Sequence, residues 1–372
     1  MRIVVAMSGG VDSSVVAGLL KEQGHEVIGL AMKTHSLEPK ANRACCTPDD
    51  MRDARLVADI LGIPFYVLPY EDMFLEHVIM PFAKAYRDGY TPNPCVECND
   101  KVKFQPLVER ARLLGAEQLA TGHYARIDQA ERGPMLRRGV DENKDQTYFL
   151  YRLTQEQLGF LSFPLGDMVK DEVREHARRL GLPLADKHES QEICFVGREG
   201  YAATVEKVLG EGGKPGRFVD SSGRKLGDHS GIHKFTLGQR RGLGLSAKHP
   251  LYVIHIDPMT GDVVVGPSRE LEADGIVIEN LVWVEGEPEI GREVLVQQRY
   301  RGKPIRAVVE SHDATHTRMK FVDPGEPGAP GQAAVIYDGD WVLGGGSIGR
   351  DVRHTHGHSG LPIVSARIGG PL

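Results

Sequence analysis

The residues whose types and spacing could do chemistry begin at the start of the chain, where positions 3–14 read Ile-Val-Val-Ala-Met-Ser-Gly-Gly-Val-Asp-Ser-Ser. A short apolar run, suited to a buried strand, meets a glycine pair and then a helical stretch at 11–21, with hydroxyls and one carboxylate around the turn. Gly9 and Gly10 let the backbone approach an anion closely, and the free N–H groups and positive dipole end of the helix point at it. The turn is a phosphate cradle. The lysine of a Walker loop is absent, so the ordinary P-loop pattern does not describe it.

Cysteines supply the second chemistry. Thr-Pro-Asn-Pro-Cys-Val-Glu-Cys-Asn at 91–99 is expected to form a rigid loop that holds Cys95 and Cys98 close together, while Cys194 lies alone in Ser-Gln-Glu-Ile-Cys-Phe-Val at 190–196. One Cys-x-x-Cys pair suits a thiol redox couple, half a zinc site or part of an iron–sulfur site. The sequence shows no second compact Cys/His pair to complete a zinc tetrad, and a thioredoxin-type pair would open a helix early in its own domain, without an ATP loop beside it. Five cysteines in a chain with no leader pattern point to chemistry, metal binding or chance rather than a disulfide framework.

Positioning these groups falls to the elements around them. A chain of 372 residues is expected to hold two or three domains. Its 26% charged and 41% apolar residues are those of an ordinary soluble protein, and no apolar run approaches the ~18 residues of a membrane span, so a cytoplasmic setting without membrane contact is expected. The net charge of −6 excludes global attraction to nucleic acid and leaves only local basic patches to bind it. The first half alternates strand and helix: strands at 26–33, 64–68 and 118–121, and helices at 48–61, capped by Thr47, at 71–87 and at 103–114. That rhythm implies a doubly wound, mostly parallel α/β sheet whose ligand lies at the carboxyl ends of the strands, with the glycine turn, Met32 and Thr121-Gly122-His123-Tyr124 around one crevice. Residues 201–270 form a small mixed domain, and from 271 to 353 short alternating runs separated by turns suggest a β-barrel. Residues 354–372 form a Gly-, Ser-, His- and Pro-rich tail in which the alternating His354, His356 and His358 are expected to be solvated rather than metal-bound. Arg292, Arg299, Arg301, Lys303 and Arg306, with Tyr300 among them and only Glu293 opposing, could track phosphate on the barrel, and Lys214 to Arg241 offers a second basic stretch.

The glycine turn resembles the pyrophosphate loop of the ATP pyrophosphatases, and the full set of blocks resembles one family among them, the tRNA-specific 2-thiouridylases. The blocks are Ala6-Met-Ser-Gly-Gly-Val-Asp-Ser13; Cys45-Cys46 followed by 53–64; 91–99; Ala-Thr-Gly-His-Tyr-Ala at 120–125; Asn-Lys-Asp-Gln-Thr-Tyr-Phe-Leu at 143–150; and Ile-Cys-Phe at 193–195. The resemblance implies a PP-loop catalytic domain over 1–200, then two tRNA-binding domains. It implies that ATP, with Mg2+, is held by Ala6, Met7, Ser8, Gly9, Gly10, Val11, Asp12, Ser13, Met32 and Gly122, with Asp12 either orienting the metal or capping the helix. The oxygen at C2 of the wobble uridine in a tRNA anticodon would be adenylated and replaced by sulfur from a persulfide on Cys194. Cys98 would act as its nucleophilic partner, attacking the intermediate or closing a disulfide with Cys194. The target base would rest at Asn93, Pro94 and Cys95, and His123, Lys144, Asp145, Gln146, Arg299, Tyr300 and Gln332 would contact tRNA. A sulfur-donor protein is implied as a further partner. Members of the family differ at the position of Cys95, and with Cys here an iron–sulfur cluster on Cys95, Cys98 and Cys194 is the alternative sulfide carrier. No chemical role suggests itself for Cys45 and Cys46, for which packing is expected. Two other functions remain open to the residues: an ATP-dependent ligase or amidotransferase acting on a small metabolite, for which no glutaminase segment is visible, and a catalytically silent RNA-binding protein.

Overall fold

Ile3, Val4 and Val5 are all buried, as a central parallel strand covered on both faces demands. In the computed structural model, which describes residues 1–34, 48–131, 133–187, 193–284 and 286–350, they lie in β1 (Arg2–Ala6). Cys45, Cys46, the proposed cap Thr47, Ser190-Gln191-Glu192 and the tail histidines fall outside the described residues. β1 runs parallel to β2 (Glu26–Lys33) on one side and β4 (Gln118–Thr121) on the other, with β3 (Phe65–Pro69) beyond β2 and a short strand, Leu161–Ser162, beyond β4. Helices α1 (Val11–Glu22) and α2 (Pro48–Leu61) connect the first three strands. Val4, Ile28 and Leu30 enter the core on one face and Ile3, Val5 and Val27 the core on the other, so the sheet is buried on both sides.

Two expectations from the sequence are corrected here, for one physical reason. The single helix expected at 71–87 is three pieces, Glu71–Phe74, the π-helical Leu75–Ile79 and Met80–Arg87. The stretch expected as a loop around Cys95 is helical: Pro94–Glu97 starts from Asn93 and passes through the π-helical Cys98–Phe104 into Gln105–Leu113. In both places a proline, Pro81 or Pro106, stands at the second position after the π segment. Proline has no N–H to donate and its ring crowds the carbonyl four residues back, so the helix widens to the longer-range bond before it. Apolar periodicity does not reveal that widening.

Beyond the sheet, the helix Tyr201–Leu209 precedes a small four-stranded sheet, Gly216–Val219, Lys225–His229, Tyr252–Ile256 and Asp262–Gly266. Six antiparallel strands then close a barrel, because Ala273–Trp283 pairs both with His316–Gly325 and with Trp341–Ile348. A hairpin not anticipated from sequence, Ala125–Ala130 with Gly133–Arg138, leaves the catalytic half and pairs with the barrel at Arg137 and Trp341. The expected α/β sheet, small mixed domain and barrel are all present. Catalytic half and barrel share a core: Tyr148 and Tyr151 lie in one apolar cluster with Val335, Tyr337 and Val342 of the barrel, and the Tyr148 hydroxyl donates to the Ala333 carbonyl at 2.9 Å. Among the described residues no helix is long and apolar enough to cross a membrane.

Replacing Tyr148 with Phe removes a buried donor and leaves the Ala333 carbonyl without it. The expected outcome is a loss of about 1–3 kcal/mol, read as a lower midpoint in urea unfolding.

Candidate active site

Parallel pairing brings the strand ends to one line. Ala6 at the end of β1 pairs with Leu30 of β2 and with Thr121 of β4, and Met32 lies two residues past Leu30. Because the chain winds from β1 to β2 and β3 on one side before returning to β4 on the other, the gap between β1 and β4 is the switch point of the sheet, where such folds hold ligands. The glycine turn opens there. Gly9 has φ +76 and packs so tightly that a Cβ on it would lie 2.1 Å from the Asp50 carbonyl oxygen. Gly122, just past β4, has its backbone against the first turn of α1, where a Cβ would come within 2.8 Å of the Ser13 nitrogen. These two positions admit only glycine, and together they hold the start of α1 open at the strand ends. No side chain caps α1, so its first N–H groups keep their capacity to bind an anion.

Hydroxyls complete the turn. Ser13 Oγ accepts from the Ser8 N–H at 3.1 Å, and the Ser14 hydroxyl donates to the Gly10 carbonyl at 2.9 Å. Asp12 does not cap the helix. Its Oδ1 accepts from Lys170 Nζ at 2.6 Å and from the Tyr124 hydroxyl at 2.8 Å. A second lysine, Lys187, donates to the Gly9 carbonyl at 2.9 Å, to Asp50 at 2.7 Å and to Asp53 at 2.6 Å. Two ammonium groups thus reach the turn from distant parts of the chain, although the Walker lysine is missing. Sequence reasoning passed over both. Lys170 carried a signal, since it opens the helix Lys170–Arg179 at the end where the dipole disfavours a cation; Lys187 carried none.

The cysteine helix ends at this crevice. Phe104 closes the π segment that begins at Cys98, and its ring lies 5.5 Å from that of His123, the residue after Gly122. His123 packs between Phe104 and Phe163, with Thr121 Oγ1 2.7 Å from its Nδ1. Burial, with a smaller contribution from Lys103, pushes its imidazole down to about 3, so it is neutral near pH 7. At the other end of the helix, Cys95 is exposed and Cys98 is buried in a cluster with Phe74, Phe82 and Phe195. Cys194, partly buried, packs against that same cluster. Folding therefore joins two cysteines that are nearly a hundred positions apart in sequence. Asn93 and Pro94 line a cavity of about 340 Å³ between the cysteine helix and the barrel, whose walls include Tyr90, Pro92, Arg152 and Asn280.

The residues expected to meet nucleic acid divide into two groups. Arg299 and Lys144 are polar surface groups, and Tyr300 meets Phe149 with ring centroids 4.6 Å apart in a tilted arrangement, with Arg301 over its ring. Asp145, by contrast, is buried and accepts from Arg138 and the Thr147 hydroxyl, each at 2.8 Å, while Gln146 Oε1 accepts from the Tyr124 N–H at 3.0 Å. Gln332 reaches out of the barrel to donate to the carbonyls of Thr91 at 2.9 Å and Pro92 at 3.2 Å. These three tie backbone segments together. The basic stretch on the barrel is thinner than its sequence suggests, because Arg292 pairs with Asp338 and Arg306 with Glu293. In the small domain Arg217, Arg224, Lys225 and Lys234 are likewise paired with acids.

A glycine turn at the switch point of a parallel sheet, joined to a small domain and a six-stranded barrel, defines a PP-loop enzyme of the ATP-using kind. Family models agree along the chain: tRNA methyl transferase HUP domain over residues 1–198, tRNA methyl transferase PRC-barrel domain over 203–267 and Aminomethyltransferase beta-barrel domain over 273–348. The tRNA-specific 2-thiouridylase MnmA of Geobacter metallireducens is 49% identical over 354 residues, which span 93% of this chain and 96% of that one. The proteins of the same name from Rickettsia felis and Methylorubrum populi are 47% and 49% identical, each over 94% of this chain and over 97% and 94% of their own lengths. The chain belongs to the tRNA-specific 2-thiouridylase family. Among solved structures, a 4-thiouridine synthetase in complex with RNA and ATP aligns at a TM-score of 0.35 and 15% identity, over 56% of this chain and 50% of that chain.

His123, half-buried between aromatic rings and neutral, makes folding stability depend on pH. In the unfolded chain its pKa is the ordinary 6.5, so between 6.5 and about 3 the unfolded state binds a proton that the folded state refuses. Its contribution is present above 6.5 and lost as pH falls towards 3. Substituting His123→Phe is expected to flatten that part of the stability profile, checked by urea unfolding across the same range.

Proposed function

We propose that this tRNA sulfurtransferase makes 2-thiouridine by two half-reactions, each borne by one of the two chemistries read in its sequence. In the first, the C2 oxygen of the wobble uridine attacks the α-phosphorus of ATP, and pyrophosphate leaves into the turn at 8–14. Ala6, Met7, Ser8, Gly9, Gly10, Val11, Asp12, Ser13, Met32 and Gly122 hold the nucleotide. A uridine carbonyl oxygen is a poor leaving group, and adenylation turns it into a good one. Asp12, already shared with Lys170 and Tyr124, is the carboxylate that would hold Mg2+ brought in with the nucleotide, and the ion would supply neutralisation of phosphate charge.

In the second half-reaction the terminal sulfur of a persulfide on Cys194, supplied by a sulfur-donor protein, attacks C2, and AMP departs with the oxygen. The Cys98 thiolate then attacks the Cys194 sulfur. The sulfur–sulfur bond breaks towards the base, thiolated tRNA is freed, and the resulting Cys98–Cys194 disulfide is reopened by a thiol reductant. One observation carries this reading: Cys98 and Cys194, so far apart in sequence, pack against the same apolar cluster at one end of a helix whose other end abuts the ATP crevice. An iron–sulfur cluster on Cys95, Cys98 and Cys194 has less support. Among the described residues no three Cys, His, Asp or Glu side chains gather as metal ligands.

The target uridine, unstacked from the anticodon, rests against Asn93, Pro94 and Cys95, beside the cavity that the first two line. Lys144 and Arg299 meet phosphate, Tyr300 offers a ring face, and His123 acts as a neutral group rather than a cation. Asp145, Gln146 and Gln332 serve tRNA by holding the backbone around these groups. The reaction takes place in the cytoplasm.

Protein, ATP, magnesium, a persulfide source and unmodified tRNA are expected to give tRNA retarded in a mercury-containing gel, together with pyrophosphate. Absence of both would overturn the reading. Cys98→Ser and Cys194→Ser are each expected to abolish retardation while pyrophosphate release on tRNA addition continues; unchanged turnover would favour a ligase acting on a small metabolite. Gly9→Ala, which drives a methyl group into the Asp50 carbonyl, is expected to abolish pyrophosphate release, measured in the same assay.

A further inference from the structure

Sulfur transfer as described uses two thiols and leaves a third, that of Cys95, without a part in the bond changes. The three differ in depth: Cys95 is exposed, Cys98 buried and Cys194 partly buried. Cys98 and Cys194 share one apolar cluster, with Tyr201, from the helix that precedes the small sheet, packed against it. Its rings interlock edge to face, since Phe195, beside Cys194, has Phe82 at 5.0 Å and Phe74 at 5.8 Å between ring centroids. A Cys98–Cys194 disulfide formed there is walled in by aromatic rings, whereas a reductant must bring its thiolate onto one of the two sulfurs. Cys95 reaches the same bond from outside. It lies in the first turn of the cysteine helix, three residues before Cys98, and no side-chain cap bond fixes that helix start. Residues three apart on a helix stand about 5–6 Å between Cβ atoms and a disulfide asks for about 4 Å, so the turn tightens by about 1–2 Å when they join. Among the described residues the three thiols do not gather at one point as metal ligands do. Cys98 is the shared partner, met by Cys194 through the cluster and by Cys95 along the helix.

We propose that Cys95 is a further catalytic residue, a resolving thiol that carries the disulfide from the buried cluster to the surface. Cys95 gives its proton to solvent, and its thiolate attacks the Cys98 sulfur of the Cys98–Cys194 disulfide. The Cys95–Cys98 bond forms, the Cys98–Cys194 bond breaks, and Cys194 departs with the electron pair as a thiolate. This exchange involves no net oxidation. A dithiol reductant then attacks the exposed Cys95 sulfur, Cys98 leaves as a thiolate, and the reductant's second thiol frees Cys95 as the reductant itself closes to a disulfide. Cys194 is thereby ready for its next sulfur before the Cys95–Cys98 pair has been reduced. Since the target base rests against Cys95, the exchange follows departure of the thiolated tRNA. The proposal rests on the Cys98–Cys194 disulfide of the second half-reaction.

The test takes the full-length protein, loaded with persulfide under argon, through one turnover with ATP, magnesium and unmodified tRNA in the absence of reductant. Acid quenching, alkylation with iodoacetamide and peptide mass spectrometry then map the disulfide, counted against thiolated tRNA with a tRNA-free sample as blank. In the wild type the expected product is a Cys95–Cys98 disulfide within one peptide, with Cys194 alkylated. C95S is expected to stop at the cross-linked Cys98–Cys194 peptides. Repeated turnovers are followed with thioredoxin as reductant, each protein's later turnovers being expressed relative to its own first because Cys95 also bounds the base site. That ratio is expected to fall about tenfold or more in C95S, and dithiothreitol, small enough to enter the cluster, is expected to restore most of it. A wild type that holds the Cys98–Cys194 disulfide after the turnover overturns the proposal, as does a C95S ratio equal to that of the wild type with thioredoxin. Thiolated tRNA with no disulfide in the wild type overturns instead the persulfide reading of Cys98 and Cys194, and the relay with it. The wild-type map decides even if circular dichroism finds C95S unfolded.

Discussion

The catalytic half depends on the close contact between the glycine turn and its surroundings at the line where β1 lies between β2 and β4. Gly9 lies against the Asp50 carbonyl, and Gly122 lies against the first turn of α1. Side chains at either position would push the helix start away from the strand ends and close the gap in which its N–H groups are exposed. Parallel pairing makes the gap, since strands that all point one way end on one side, and the reversal of winding at β1 leaves it uncovered. The hydroxyls of Ser8, Ser13 and Ser14 then hold the turn in shape from within.

Charge is handled by tertiary contact rather than by the loop itself. The ordinary P-loop carries its lysine in the turn. Here Lys170 and Lys187 arrive from later parts of the chain, each already shared with acids: Asp12 for the first, Asp50 and Asp53 for the second. Cations balanced in this way add little net field at long range but stay ordered at the rim. Much of the basic surface elsewhere is balanced in the same way, as the pairs of Arg292 and Arg306 show. Nucleic acid must therefore be gripped at a few exposed points, and the barrel adds a second service. Through Gln332 and the Tyr148 contact it braces the segment that leads into Asn93, Pro94 and the cysteine helix.

That helix links the crevice at the glycine turn to the cluster that holds Cys98 and Cys194. Its π-helical middle follows from Pro106 as the break near Leu75 follows from Pro81, and it sets Cys98 in an apolar cluster at one end while Phe104 meets His123 at the other. A thiol held among aromatic rings is shielded from adventitious reagents, whereas Cys95, one turn earlier, is exposed. The same crowding keeps His123 neutral, so the crevice gains a polar group without a further charge.

Strands at 26–33 and 118–121, helix α1, the glycine turn and the close spacing of Cys95 and Cys98 were all legible in the residues, because each is a local pattern: apolar runs, a flexible glycine pair, a cysteine spacing. The cysteine helix was misjudged as a loop, since Thr-Pro-Asn-Pro carries two prolines and the widening that accommodates Pro106 leaves no periodic trace. The hairpin at 125–138 that joins the barrel escaped notice, as did Lys170 and Lys187. Local patterns determined which chemistries this protein carries. Only tertiary structure decided how they meet, because Lys170, Lys187 and Cys194 lie between roughly ninety and a hundred and eighty positions from Asp12, Gly9 and Cys98, and pairing over such distances is set by packing, which no short stretch of sequence encodes.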